Sequence, residues 1–293
     1  MTAPARLGLI GFGEAGSAIA AGLAETGVTG VIAFDVRGDD SAVQAAAASA
    51  GVKLAGSLPD LVAAADVVIC LTKAAVAVPV AEAAAAALRP GQVYADLNSA
   101  SPQVKRDAAA AVQPSGALFA DVAVMAAVPP HRHRVPLLVS GPGAAAFGAA
   151  AAGLGMAAEV LGDRVGQASA VKMYRSLLMK GLEALVLDCA LGAGAEDAGD
   201  RVFASMAGSL PFGDWAELAG YLMGRTVLHG SRRAAELREV GATLTEAGVD
   251  PALALAAAQR LEWAAGLGLR ERFGGHPPAA YQEIVTAIRE SGG

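Results

Sequence analysis

Residues 7–37 read LGLIGFGEAGSAIAAGLAETGVTGVIAFDVR and contain two apolar runs separated by a glycine-rich turn and a helical pattern. The apolar run at residues 7–10 predicts a short buried strand, and residues 15–25 have the apolar spacing of a helix. Three glycines separate the strand from the helix: Gly11, Gly13 and Gly16. A second apolar run, VIAF, ends at Asp35, nineteen residues beyond the last of these glycines. The stretch therefore predicts a strand, a glycine turn, a helix, a second strand and an acid.

This order of elements is typical of the Rossmann unit that binds dinucleotides. Gly11 permits the tight turn, Gly13 lets the backbone approach a pyrophosphate, and Gly16 allows the helix to pack closely on the strand. The N-terminus of the helix offers unpaired N–H groups to the phosphates. A chance turn is the alternative in a chain with 36 glycines, but the flanking strands and the acid favour a dinucleotide site.

Asp35 bears on the choice of cofactor, because a carboxylate there accepts hydrogen bonds from the ribose hydroxyls and repels a 2′-phosphate. NAD is therefore favoured over NADP. Arg37 leaves the alternative open, since its guanidinium either holds a 2′-phosphate or lies solvated in a polar turn. The predicted cofactor contacts are Gly11, Phe12, Gly13, Glu14, Ala15, Gly16, Asp35, Val36, Arg37, Leu71, Thr72, Lys73 and Asn98.

Beyond this unit, further apolar runs alternate with alanine-rich helical segments. Candidate strands lie at residues 66–72, 92–99, 116–124 and 135–141. Such alternation predicts an α/β doubly wound parallel sheet with helices on both faces. Ligands of these sheets bind at the carboxyl ends of the strands, which here are followed by residues 71–73, 98–102 and 121–127.

Composition narrows the function classes. A length of 293 residues predicts two domains, and a hydrophobic content of 54% with 17% charged residues predicts large cores. A net charge of −6 without a basic stripe argues against a nucleic-acid partner, and no apolar run is long enough for a membrane span. We expect a cytoplasmic protein with two buried, reduced cysteines, Cys70 and Cys189, and without a metal site.

A long helix follows the alternating region. Residues 165–191 contain no proline and have apolar positions every three or four residues, which predicts a helix that joins two domains. We place the boundary between residues 1–163, the NAD(P)-binding domain, and residues 164–293, an all-helical substrate and dimerisation domain.

The chain has only five lysines, and Lys172 stands near the start of the predicted helix at residues 165–191. It either faces a cleft or is a solvated helical lysine.

The pattern of residues 197–272 predicts several more helices, with breaks near residues 211–213, Gly230 and residues 248–251. His229 either lines a substrate cleft or lies on a solvated or dimer-facing helix. The segment HRHR at residues 131–134, which contains His131 and His133, has two interpretations as well. It clamps an anionic substrate, or it is a polar surface turn.

Four segments of the chain occur in the order of four motifs of a known family. They are GLIGFGEAGSAIAAGL, DLNSASP, FADVAV and GDRVGQASAVKMYRS. In this the chain resembles the β-hydroxyacid dehydrogenases, which include 3-hydroxyisobutyrate and 6-phosphogluconate dehydrogenases. The resemblance covers roughly residues 7–190. After residue 190 the chain resembles a bacterial, phosphogluconate-dehydrogenase-like branch with its own C-terminal domain.

The resemblance implies roles for individual residues. Lys172 falls at the position of the catalytic lysine, and Ser176 replaces an asparagine that contacts the substrate. Asn98 and Ser99 would be the polar pair at the nicotinamide and the substrate. Met125, Ala126 and Ala127 replace a Ser-Gly-Gly that wraps the substrate carboxylate, which makes this part of the pocket more apolar. The predicted substrate contacts are Ser99, Met125, Ala126, Ser176 and His229.

The sequence thus predicts an NAD(P)-dependent dehydrogenase that acts on a hydroxy acid or a related alcohol, with Lys172 as general acid and base. An anionic small-molecule substrate and a homodimer are expected, the dimer by resemblance. An imine reductase is the nearest alternative, because Tyr174 and the apolar residues 125–127 are compatible with it. A protein that senses NAD without turning it over is the second alternative.

Overall fold

The computed structural model describes residues 6–195, 197–206, 214–278 and 280–291. The chain forms two compact units, one up to Lys172 and one from Met173 onward. The sequence-based division between residues 163 and 164 follows the change from strand-and-helix alternation to helices alone, and it stays a prediction.

The first unit is built from strands and helices in alternation. Its strands are β1 (Leu7–Ile10), β2 (Ile32–Phe34), β3 (Lys53–Leu54), β4 (Val67–Cys70), β5 (Val93–Asp96), β6 (Leu118–Val124), β7 (Leu137–Ser140) and β8 (Ala158–Gly162). Its helices are α1 (Glu14–Glu25), α2 (Ser41–Ser49), α3 (Leu58–Ala64), α4 (Ala77–Ala85), α5 (Pro102–Val112), α6 (Val128–His131) and α7 (Ala144–Gly153). Helix α8 (Gln167–Ala195) begins in this unit and continues into the second.

The strands form one eight-stranded sheet in the order β3-β2-β1-β4-β5-β6-β7-β8. Strands β1 to β6 pair in parallel, so the predicted doubly wound sheet is confirmed. Strand β7, which we expected as a further parallel strand, pairs antiparallel to β6. The reason is the connection: it returns from Val124 to Leu137, which pair directly, so no crossover is needed.

The central strands are buried on both faces, as expected for a parallel sheet between two helical layers. Leu9 and Ile69 point into a core that contains Ile19 and Leu23 of α1. Their neighbours along the strands face the opposite core, which contains Ile10, Val68, Tyr94 and Phe119. Because successive side chains of a strand alternate, one sheet supplies both cores and fixes the positions of the loops at its carboxyl edge.

In the second unit, the described residues outside the turns and loops are helical. After α8 come α9 (Gly199–Met206), α10 (Trp215–Glu246), α11 (Ala252–Gly266), α12 (Leu269–Arg272) and α13 (Tyr281–Glu290). Buried apolar side chains of α8, α10 and α13 form its core, among them Leu187, Leu222, Met223, Ile284 and Ile288. The predicted all-α second region is therefore confirmed.

Two sequence-based expectations for this region are wrong. Gly230 does not break a helix but lies inside the 32-residue α10. A Cβ atom there would lie 2.9 Å from the Leu261 carbonyl oxygen and the Ala265 Cβ, so the glycine permits close packing of α10 on α11. Cys189 is exposed, whereas Cys70 is buried as expected. The chain does leave helical structure at residues 248–251, while the break near Pro211 lies outside the described residues.

Candidate functional site

The glycine loop between β1 and α1 has the geometry that the sequence predicts. Gly11 has a φ of +93°, which favours glycine, and a Cβ atom there would lie 2.5 Å from the carbonyl oxygen of Leu71. A Cβ atom at Gly16 would lie 2.3 Å from the carbonyl oxygen of Gly11. Both positions therefore require glycine for the turn and for the approach of α1 to β1.

Gly13 faces open space instead. A Cβ atom there would have the guanidinium of Arg37, 4.0 Å away, as its nearest neighbour. Gly13 is also the N-cap of α1, and no side chain caps the helix at this end. The first N–H groups of α1 are therefore available to bind an anion, and no side chain at Gly13 blocks its approach. This arrangement fits the pyrophosphate of a dinucleotide. Phe12 is buried, Glu14 is exposed and Ala15 is half-buried.

Asp35 follows β2 and ties the glycine loop to the next turn. Its Oδ2 accepts a hydrogen bond from the Phe12 N–H at 2.8 Å, and its Oδ1 accepts one from the Arg37 N–H at 2.9 Å. The side chain of Asp35 is only 9% exposed, whereas that of Arg37 is 62% exposed and its Nε lies 3.7 Å from Oδ1. Val36, the residue between them, is exposed. Acid and guanidinium thus stand together beside the glycine loop.

The turn after β4 brings the third group of predicted cofactor residues to the same edge of the sheet. The N–H of Leu71 donates to the carbonyl oxygen of Ile10 at 2.8 Å, which fixes this turn beside the glycine loop. The hydroxyl of Thr72 donates to Oδ1 of Asn98 at 3.2 Å. Lys73 is exposed. The carboxyl ends of β1, β4 and β5 are thereby connected through hydrogen bonds.

Asn98 is buried, and hydrogen bonds hold both its side-chain amide and its backbone N–H. It is 3% exposed, its Nδ2 donates to Sγ of Cys70 at 3.3 Å, and its N–H donates to Oδ1 of Asp96 at 2.8 Å. Burial raises the pKa of the Cys70 thiol, and the nearby Asp96 carboxylate raises it further. The protonated thiol therefore serves as a fixed support for the Asn98 amide. Ser99, the next residue, is half-buried.

The loop after β6 carries the apolar residues that replace the family serine and glycines. Met125 and Ala126 are half-buried, and the Met125 N–H donates to the Pro136 carbonyl oxygen at 2.9 Å. They extend from a strand that is itself buried up to Val124. The loop therefore presents apolar side chains next to the strand end where the sequence predicts substrate.

The basic segment that follows packs against α1. His133 is 4% exposed, and a Cβ atom at Gly22 would lie 2.4 Å from its Nδ1, while Arg132 forms an ion pair with Glu25. Burial lowers the pKa of His133. His131 is exposed. Two of the four residues in this segment thus contact a helix of the same unit, and these contacts give no support to an anion clamp.

Lys172 is half-buried on α8, close to an anchor that sequence reasoning missed. Asp121 is fully buried and accepts hydrogen bonds from the N–H groups of Gly166 and Ser169 and from the Ser169 hydroxyl, at 3.0 to 3.2 Å. The Ser140 hydroxyl donates to the same carboxylate and accepts from the Ala168 N–H. The start of α8 is therefore fixed to β6 and β7, one turn before Lys172. In the sequence, the position of Asp121 inside the otherwise apolar strand β6 indicates a buried carboxylate that needs hydrogen-bond donors.

The remaining predicted residues, Ser176 and His229, belong to the second unit. Ser176 is half-buried on α8, and His229 is exposed on α10. Partial burial and the neighbouring arginines, with Arg232 first among them, lower the pKa of His229.

The second unit also contains a buried ion pair between Glu183 and Arg233 that the sequence analysis did not identify.

None of the helices in the described ranges is both long enough and apolar enough to cross a membrane. The same residues contain no group of three or more histidine, cysteine, aspartate or glutamate side chains arranged to hold a metal ion.

Comparisons with known proteins agree with this architecture. The chain is similar over 97% of its length to a conserved hypothetical protein from Sinorhizobium meliloti, with 34% identity, 96% of that chain covered and a TM-score of 0.84. A 3-hydroxyisobutyrate dehydrogenase from Mycobacterium tuberculosis shares the fold at 18% identity, over 98% of this chain and 100% of that chain, with a TM-score of 0.73. An imine reductase variant from Myxococcus stipitatus, solved with NAD+, shares it at 19% identity, over 98% and 100% of the two chains, with a TM-score of 0.61.

Family models match both parts of the chain. Residues 193–264 match a domain of unknown function (DUF1932). Residues 6–162, more than half of the chain, match the NAD-binding domain of 6-phosphogluconate dehydrogenase. This match covers the glycine loop, Asp35 and the turn that carries Asn98, which are the residues whose geometry fits a dinucleotide. The chain therefore belongs to the β-hydroxyacid dehydrogenase family of NAD(P)-dependent oxidoreductases, and its C-terminal region contains the domain of unknown function.

Proposed function

We propose that the protein is an NAD-dependent dehydrogenase that acts on a hydroxy acid or a related alcohol, with Lys172 as its general acid and base. The observation that carries the proposal lies within the first unit. A dinucleotide loop and a buried amide, Asn98, share the carboxyl edge of the sheet with the anchored start of the helix on which Lys172 stands.

The roles of the residues follow from their chemistry. A bound nicotinamide supplies the hydride for carbonyl reduction and accepts it on alcohol oxidation. On oxidation, Lys172 in its neutral form takes the hydroxyl proton, and on reduction its ammonium gives a proton to the carbonyl oxygen. Asn98 and Ser99 orient the reacting oxygen and the nicotinamide amide. Met125 and Ala126 contact the carbon chain of the substrate.

We propose further that the substrate is anionic, and that it is contacted by Ser176, which falls at the position of the family asparagine, and by His229, one of the four histidines of the chain. The exposed position of His229 on α10 is compatible with contact to a ligand, and its lowered pKa favours the neutral imidazole at neutral pH.

The test is the rate of NADH and NADPH oxidation with a panel of carbonyl compounds and cyclic imines. Lys172→Ala is expected to lower carbonyl reduction by about 10²-fold, the scale of a lost general acid. Lys53→Ala, which removes an exposed lysine of β3, is the matched control and is expected to keep the native rate. Carbonyl reduction that is indifferent to Lys172 contradicts the proposal.

The imine reductase is the second candidate, and the half-buried, apolar Met125 and Ala126 favour it because they offer no polar group to a carboxylate. Turnover of cyclic imines with little turnover of carbonyl compounds would select it. Binding of NADH without turnover of any compound in the panel would select the third hypothesis, an NAD-sensing protein.

For the second unit we propose contact with another copy of the chain. A groove of about 490 Å³ between α8 and α11 is lined mainly by apolar residues, including Leu185, Leu253 and Trp263. Leu185 is 59% exposed, Leu253 61% and Leu178, one turn before the groove, 72%. An exposed apolar surface of this kind marks an interaction site, and a second copy satisfies it without a further partner.

A further inference from the structure

Lys105 of α5 is a fully buried charged group of the first unit that the proposed reaction does not use. It is 0% exposed, and its Nζ donates to the carbonyl oxygen of Asp96 at 2.7 Å. The same nitrogen lies 3.3 Å from the Asp96 carboxylate and 3.7 Å from that of Asp121. Asp96 and Asp121 are register partners on β5 and β6, so the ammonium bridges two neighbouring strands.

Each aspartate holds a different part of the proposed site. Oδ1 of Asp96 accepts the N–H of Asn98 at 2.8 Å, which fixes the turn that contains Asn98 and Ser99. Oδ2 of Asp121 accepts the N–H groups of Gly166 and Ser169, which fix the start of α8. One carboxylate thus holds the turn that contains Asn98, the other holds the start of α8, and Lys105 connects the two carboxylates.

We propose that Asp96, Lys105 and Asp121 form a positioning bridge, which keeps the Asn98 turn and the first turn of α8 in one register and thereby sets Lys172 against the reacting oxygen. The inference rests on the proposed function for its catalytic consequence. The three residues act through Asn98 and Lys172 and are not themselves in contact with the cofactor or the substrate.

Directional contacts distinguish this role from simple packing. A buried apolar cluster would fill the same space without fixing an angle, whereas a carboxylate that accepts three N–H and O–H groups from Gly166 and Ser169 does fix one. Because these donors lie at the start of α8, Gly166 just before it and Ser169 in its first turn, a small rotation there displaces the Lys172 side chain. A displacement of about 1 Å from the reacting atoms is enough to lower a rate about 100-fold.

The first test measures amide hydrogen exchange in the full chain and needs no turnover. Asp121→Asn removes the charge that faces Lys105 and is expected to speed exchange at least tenfold both at Gly166 and Ser169 and at Asn98. Asp107→Asn makes the same chemical change at an exposed position and is the matched control. Faster exchange at α8 alone would show that the bridge does not connect the two turns, and would overturn the proposal.

The second test is a kinetic double-mutant cycle on single-turnover NADH oxidation with the best carbonyl compound. Asp121→Asn is expected to lower the rate at least tenfold in the native chain, to change it less than twofold in the Lys172→Ala chain, and to leave the NADH dissociation constant within twofold. An equal loss in both backgrounds would show that Asp121 does not act through Lys172 and would overturn the proposal.

Ser169→Ala keeps the test decisive if Asp121→Asn does not fold, since it removes one hydroxyl from the same carboxylate and leaves every charge in place. It is expected to give the same pattern with a smaller loss of rate, about threefold.

The proposed function and the positioning bridge fail in different ways. Lys172→Ala that keeps full activity contradicts the proposed function, whereas coupled exchange at Asn98 and Ser169 still supports the bridge.

Discussion

Asp35 uses both carboxylate oxygens to hold backbone N–H groups, of Phe12 on one side and of Arg37 on the other. The same charge stands where a dinucleotide places its adenosine ribose. In the proposed NAD site this negative charge would repel a 2′-phosphate, while its oxygens hold the loop. The proposal therefore makes cofactor choice and loop geometry depend on one residue.

Replacing Asp35 by asparagine removes the repulsion but keeps one acceptor oxygen for the loop. We expect the ratio of kcat/KM for NADH over NADPH to fall at least tenfold, which corresponds to about 1.4 kcal/mol. Steady-state kinetics with both cofactors measures this ratio. Asp39→Asn, an exposed acid of the same turn, is the control and should leave it unchanged. A ratio that stays constant in both variants would assign the choice to Arg37.

At this scale the sequence predicts residues that obey a known spacing. The glycines and Asp35 lie in one continuous stretch, so their geometry could be anticipated from local rules. Asp121 and Lys105 could not be paired in advance, because their contact depends on the register of β5 and β6 and on the side of α5 that faces the sheet. The small number of lysines in the chain made Lys105 as notable as Lys172, but the sequence-based interpretation considered only Lys172 as a functional residue.

Among the elements, α8 and α10 are connected in the second unit by a charge pair that is almost removed from water. Glu183 is 0% exposed and Arg233 4% exposed, and the guanidinium donates to both carboxylate oxygens. Arg225 adds a second cation, with its Nε 3.4 Å from the same carboxylate. Burial raises the pKa of Glu183, although the guanidinium of Arg233 opposes that shift.

Arg233→Met leaves Glu183 buried with a weaker partner and is expected to lower the free energy of unfolding by about 3 kcal/mol. Urea unfolding followed by circular dichroism measures the change. Arg232→Met removes the exposed neighbouring arginine and is expected to change stability by less than about 0.5 kcal/mol. Adding Glu183→Leu to Arg233→Met should restore most of the loss. A stable single variant would contradict this account of the pair.

Helices and parallel strands were predictable where the apolar pattern is clear, as in α8 and in β1, β2, β4, β5 and β6, whereas the two-residue β3 was not predicted. The direction of β7 was not, since an apolar run of four residues reads the same in either direction. The predicted helix break at Gly230 was wrong for a related reason. A glycine that ends a helix and a glycine that admits a second helix are identical in sequence, and only the position of α11 distinguishes them.

For the whole molecule, the proposed contact between copies makes a direct prediction. Leu185→Glu places a charge in the groove between α8 and α11 and is expected to convert a dimer into monomers at micromolar concentration. Sedimentation velocity measures the mass. Thr286→Glu, an exposed change on α13, is the control and should keep the dimer. A native chain that sediments as a monomer would contradict the proposal at once.

The distribution of buried lysines gives the molecule two internal reporters. Of its five lysines, Lys105 is fully buried in the first unit and Lys180 is 6% exposed in the second, while Lys172 is half-buried and Lys53 and Lys73 are exposed. An amine-directed label added to the native chain therefore passes over one lysine in each unit until that unit opens. Mass spectrometry of the labelled peptides would follow the opening of the two units separately, in a single sample and without any substitution in the chain.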